Sequence, residues 1–145
     1  MTITEIEQAA VAAMKSHDVV ISRTLRLLLS RLKNERIAAQ RELSDADIIS
    51  AVQSEYKKRK EAALEFEKGG RPELAKAEIE ESEVLLGYLP VQKSEAEIMS
   101  AIESMAQEHS WTAKDFGVAM KILKEHFGAT ADGAVLAKLL KEKLK

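Results

Sequence analysis

Apolar residues recur at steps of three and four along almost the whole chain, and only brief polar joints interrupt them. That spacing predicts amphipathic helices rather than alternating strands. Ile3, Ile6, Ala10, Val11 and Met14 form the inward side of a first helix, capped by Thr4 or Thr2 and reaching about Lys15. His17 and Asp18 make a joint, with Asp18 as the next N-cap. The strongest stripe follows. Ile21, Leu25, Leu28, Leu32, Ala39 and Leu43, broadened by Val20 and Leu29, predict a helix over about residues 19–41. Ser44 and Asp47 then have the spacing of a capping box, with Asp in place of the usual Glu or Gln. They open a third helix to about Lys68, with Ile48, Val52, Glu55, Tyr56, Arg59, Ala63 and Phe66 along an apolar line that thins in the middle.

Gly69 and Gly70 interrupt the pattern, and Pro72 sits where a first helical residue belongs. Leu74, Ala77, Glu78, Glu81, Leu85, Tyr88 and Leu89 lie along one side of the fourth helix, and Pro90 forbids its continuation. Val91, Gln92 and Lys93 then read as a connector between domains. Ser94 and Glu97 form a full capping box for a helix with Ile98, Ile102, Met105 and Ala106 inward, ending near His109. Thr112 caps the next, with Asp115 at its third position and Phe116, Met120, Leu123 and Phe127 at core spacing; Gly128 supplies a left-handed exit. The last helix runs from about Asp132 to Leu144, with Val135, Leu136, Leu139, Leu140 and Leu144 apolar. The fold class is therefore all-α: an N-terminal helical domain over about 1–91 and a three-helix domain over 94–145.

Composition agrees, with 46% hydrophobic and 32% charged residues but only 4% aromatic. The absence of cysteine excludes disulfides and thiolate metal sites. Net charge is −2. Residues 1–92 hold 14 Lys/Arg against 16 Asp/Glu, and residues 93–145 hold 8 of each, so any polyanion site must be a local patch. The opening Met1-Thr2-Ile3-Thr4-Glu5 lacks a basic signal-peptide start, and no apolar run approaches the ~20 residues that span a bilayer. A cytoplasmic protein is expected.

Three local concentrations of charge bear on function. Arg23, Arg26 and Lys33 fall on an arc beside the second helix's stripe. They serve either as a solvated flank whose stems cover the core edge or as a phosphate contact; large aromatics suited to a membrane surface are missing there. Lys57, Lys58, Arg59 and Lys60 spread around one helical turn, opposite in sign to Glu78, Glu80, Glu81 and Glu83. The basic run reads as solvated helix surface; another reading is that the third and fourth helices pair as an antiparallel hairpin and partly neutralise each other. Lys138, Lys141, Lys143 and Lys145 lie on the outer side of the last helix.

Catalytic parts are missing from the pattern. His17, His109 and His126 share no ligand spacing, no Ser sits in a nucleophile elbow, and Gly69-Gly70 leads into proline rather than a phosphate loop. No catalytic residue, metal or cofactor is expected. Gly117 within a helix costs about 1 kcal/mol relative to Ala, which predicts close backbone packing or the approach of a partner. Asp132-Gly133 reads as an N-cap with a permissive first turn, or as a phosphate seat.

The run Gly69-Gly70-Arg71-Pro72-Glu73-Leu74-Ala75, continuing through its Glu-rich middle to Tyr88-Leu89-Pro90, resembles the YqeY-like (GatB/YqeY) family. So do Lys114-Asp115-Phe116-Gly117 with Met120, then Ala131-Asp132-Gly133 and the lysine-bearing final helix. With Leu25-Arg26-Leu27 and Asn34-Glu35, the resemblance covers essentially the whole chain. It implies kinship with the C-terminal, non-catalytic part of the GatB subunit of glutamine-dependent tRNA amidotransferase, a carbon–nitrogen ligase. The implied partners are tRNA or another structured RNA, and an amidotransferase or other protein; neither DNA nor membrane is expected. One departure is the lack of basic residues beside Ala131-Asp132-Gly133, where Ala129, Thr130 and Ala134 stand. Lys138, Lys141, Lys145, Arg26 and Lys33 are the candidate RNA contacts. A protein adaptor docking through the N-terminal helices is the alternative.

Overall fold

Most helices begin where the local sequence offers an acceptor for otherwise free backbone N–H groups. The computed structural model describes every residue from Met1 to Lys145 and contains helices and no strand. Of the two cap choices at the start, Thr2 is used: its hydroxyl accepts from Glu5 N–H at 3.2 Å, and Glu5 accepts from Thr2 N–H at 3.3 Å. This opens α1, Ile3–Lys15. Asp18 caps α2, Val19–Ala39, through Ile21 N–H at 3.0 Å. The Ser44–Asp47 box closes despite the shorter acid, at 2.8 and 3.1 Å, and opens α3, Asp45–Lys68. Pro72 leads α4, Pro72–Leu86. The four helices form a unit over Met1–Leu89.

In that unit α1 packs on α2, α3 on α4, and α2 on both α3 and α4. The α3–α4 pairing, one of the readings open from the sequence, is present in this unit. Ile6, Leu25, Leu28, Leu32, Ile48, Val52 and Leu85 are its fully buried large side chains. Three expectations need correction. Val11 and Met14 are 44% and 58% exposed rather than inward; α1 turns Ile6, Ala10 and Ala13 to the core instead. Ala39 is exposed, and α2 stops there with Gln40 in the left-handed region, before Arg41. The fourth helix likewise ends at Leu86, leaving Tyr88 and Leu89 to pack on the core from a turn.

The second unit spans Pro90–Lys145. Gln92 and Lys93 are tied into it: Gln92 Nε2 donates to Ala129 O at 2.8 Å and Lys93 N–H donates to Thr130 O at 2.8 Å. The Ser94–Glu97 box opens α5, Glu95–His109. The Asp115 carboxylate accepts from Thr112 N–H at 2.8 Å across a 3-10 turn, after which α6 occupies Phe116–Phe127. Gly128 leaves α6 at φ +53, as its residue type predicted. After a second 3-10 turn, Asp132 caps α7, Gly133–Lys143. Ile98, Ile102, Leu123, Leu136 and Leu140 are fully buried, and α7 packs on both α5 and α6.

Candidate nucleic-acid interface

In the first unit the basic residues nearest the core are committed to acids. Arg23 Nε lies 2.7 Å from Glu81 Oε1, and Arg59 reaches Glu78 at 3.3 Å and Glu81 at 3.7 Å. Arg31 pairs with Glu35 at 2.8 Å and Glu55 at 2.9 Å. Burial pushes the Glu55 carboxyl up, but the Arg31 hydrogen bond and the charges of Lys58, Arg31 and Arg59 outweigh it and hold the group below its ordinary value. Glu81 is only 6% exposed. The network ties α2, α3 and α4 together and leaves Arg23 unsuited to a ligand. Of the arc read as either a solvated flank or a phosphate contact, Lys33 is 3.7 Å from Glu7, and Arg26 alone has no ion-pair partner. Arg26 borders a groove of about 410 Å³ with Met14, His17 and Val19.

The second unit treats its charges differently. Glu97, Asp115 and Asp132 accept hydrogen bonds from backbone N–H groups at helix starts, where they also meet the positive end of the helix dipole. Lys138 is the only lysine of this unit in an ion pair, 3.7 Å from Glu95 with both side chains about 60% exposed; such a pair is worth roughly 0–1 kcal/mol. Lys141, Lys143 and Lys145 are exposed and unpaired. At one hundred degrees per residue Lys138 and Lys141 share an edge of α7, with Lys145 just beyond its end, while Lys143 turns to the other side. The sequence-predicted trio is thus assembled, and Arg26 and Lys33 stay in the other unit.

No side chain beyond its immediate neighbours and no other element comes within 4 Å of where a Cβ on Gly117 would stand. Close packing against another element is therefore not what this glycine serves; it lies exposed at the start of α6. At the α7 start, Asp132 Oδ1 accepts from Ala134 N–H at 2.8 Å, which is the N-cap of the two readings open from the sequence. The basic residue missing from the neighbouring sequence comes instead from α6: a Cβ at Gly133 would meet Lys124 Cε at 3.6 Å. Only the packing of α6 on α7 brings it there.

Residue patterns alone did not single out Trp111, nor that Lys143 stands beside it. Both line a groove of about 790 Å³ together with Glu103, Gln107 and Lys145. Trp111 N–H closes the end of α5 on Ala106 O at 3.0 Å, and its ring stacks on His109 with centroids 5.3 Å apart. The usable signal was local: a lone tryptophan two residues past a helix end, which packs partly on the core and keeps its rim in solvent.

Fold and site define an all-helical protein of two units, one stitched by internal ion pairs and the other presenting free lysines. No helix is long and apolar enough to cross a membrane. The sequence profile described as Yqey-like protein matches residues 3–144, and the chain belongs to that family. It is also similar to the uncharacterized protein C22F3.15 of Schizosaccharomyces pombe, 28% identical over 85 residues that cover 59% of this chain and 69% of that protein.

Proposed function

We propose that this protein is a non-catalytic accessory module that binds tRNA or another structured RNA beside a glutamine-dependent tRNA amidotransferase in the cytoplasm. The observation that carries the reading is the contrast between units: arginines locked to acids in the first, and exposed lysines along α7 with one weak pair among them in the second. The family's kinship with the non-catalytic tail of the amidotransferase GatB subunit supports it. Lysines set along one helix edge act as point charges on a phosphate backbone, which confers affinity without sequence preference.

The test is a salt-titrated binding assay of the full chain with total tRNA. Lys138→Gln with Lys141→Gln is expected to weaken binding evenly across RNA sequences and to lower the salt slope by about 1 for each lysine lost. Unchanged affinity in the double variant defeats the reading. No ammonia release from glutamine is expected from the purified chain. A protein adaptor is the second reading, favoured by the exposed apolar side chains Met14 and Val19 beside Arg26. It predicts partner capture that survives nuclease treatment and is lost in Met14→Glu.

A further inference from the structure

We infer that the groove beside Trp111 takes one unpaired nucleotide of a bound RNA, its base against the indole and its phosphate at Lys143 and Lys145. This rests on the RNA reading above and adds a site that the α7 edge alone does not supply. The volume of about 790 Å³ falls within the range of small-ligand sites. Trp111 packs partly on the second core and stacks near-parallel with His109, at 10° between planes. The indole is therefore pre-ordered, and base–aromatic stacking is tolerant of sequence.

The charges around it come from two elements. Lys143 and Lys145, free of ion pairs, line it from the C-terminal end of the chain, while Glu103 and Gln107 come from α5. A simple anion would gain from the lysines but meet Glu103 as a repulsive neighbour. A nucleotide uses both, because a base carries amino groups that a carboxylate or amide oxygen accepts, and its phosphate goes to the lysines. A base inside a duplex offers no free face to the indole, so the ligand is a splayed nucleotide of the kind found in loops and ends of folded RNA.

Trp111 is the chain's single tryptophan, so its emission reports this groove and nothing else. The full chain is titrated with a short oligoadenylate, with a blunt RNA duplex of equal phosphate number, and with tripolyphosphate. Saturable quenching by oligoadenylate alone is expected. Fluorescently labelled oligoadenylate, followed by anisotropy, should bind about tenfold or more weakly to Trp111→Leu, with circular dichroism confirming its helices. Lys143→Glu, an exposed position, should abolish the quenching and carries the test if Trp111→Leu does not fold.

Three results overturn the inference. If oligoadenylate binds by anisotropy yet leaves Trp111 emission and the Lys143→Glu affinity unchanged, the groove is idle and the α7 edge reading survives alone. If tripolyphosphate or duplex quenches as strongly, the groove is an anion site and no base enters it. If no RNA binds at all, the α7 reading falls and takes this one with it.

Discussion

Among the charged side chains of the first unit, Glu81 is the least exposed. It is nearly buried, and it meets Arg23 and Arg59 from two other helices. Glu81→Ala removes the ion-pair partner of Arg23 and one of the carboxylates around Arg59, which keeps Glu55 and Glu78. Because the Arg23 side chain is half exposed, the cost is expected at about 1–3 kcal/mol, below that of a fully buried pair. The midpoint of urea unfolding reads it. Asp47 makes a different kind of contribution. The Arg41 guanidinium, hydrogen-bonded to it at 2.7 Å, and then the Ser44 groups hold its carboxyl well below the usual carboxylate range. A depressed folded pKa contributes stability above the unfolded value of about 3.9, lost as pH falls further. Stability measured against pH should therefore decline more steeply below about pH 4 in the natural protein than in Asp47→Asn, and the two curves should converge in acid.

At the scale of elements, Gly117 offers the cleanest test. Its surroundings are open, and its φ is not positive, so Gly117→Ala should stabilise the second unit, by up to about 1 kcal/mol. A rise in the thermal midpoint checks this; a fall would mean that α6 needs the glycine for its own backbone. The same scale explains what could be read from residues alone. Ser44 with Asp47 and Ser94 with Glu97 marked helix starts correctly because a cap is built from residues three apart. The stop of α2 was unreadable: Gln40, with φ +54, holds a left-handed position that glycine usually takes. Val11 and Met14 sit at legitimate helical spacing, but the width of a stripe does not say which edge a neighbouring helix covers. That is decided by how α1 lies on α2. The partner of Glu81 was hidden for the same reason, since Arg23 is 58 residues away in sequence.

For the molecule as a whole, the useful quantity is where charge is left unanswered rather than the near-neutral total. Lys33 has Glu7 at 3.7 Å, whereas Lys141 has no such neighbour. Lys33→Gln should accordingly lower the salt dependence of RNA binding by less than Lys141→Gln does, measured in the same titration. The lysine edge was visible in the sequence as a helical spacing. Lys124 beside Gly133 and Lys143 beside Trp111 were not, because each pairing joins separate helices or turns of a small bundle.

The aromatic residues are also divided between the units. Tyr56 and Tyr88 pack on the first core, and Trp111 on the second. Nature has thus labelled each half with its own chromophore. Phenol emission follows one half and indole emission the other, so a single melt of unlabelled material reveals whether they come apart in step or in sequence.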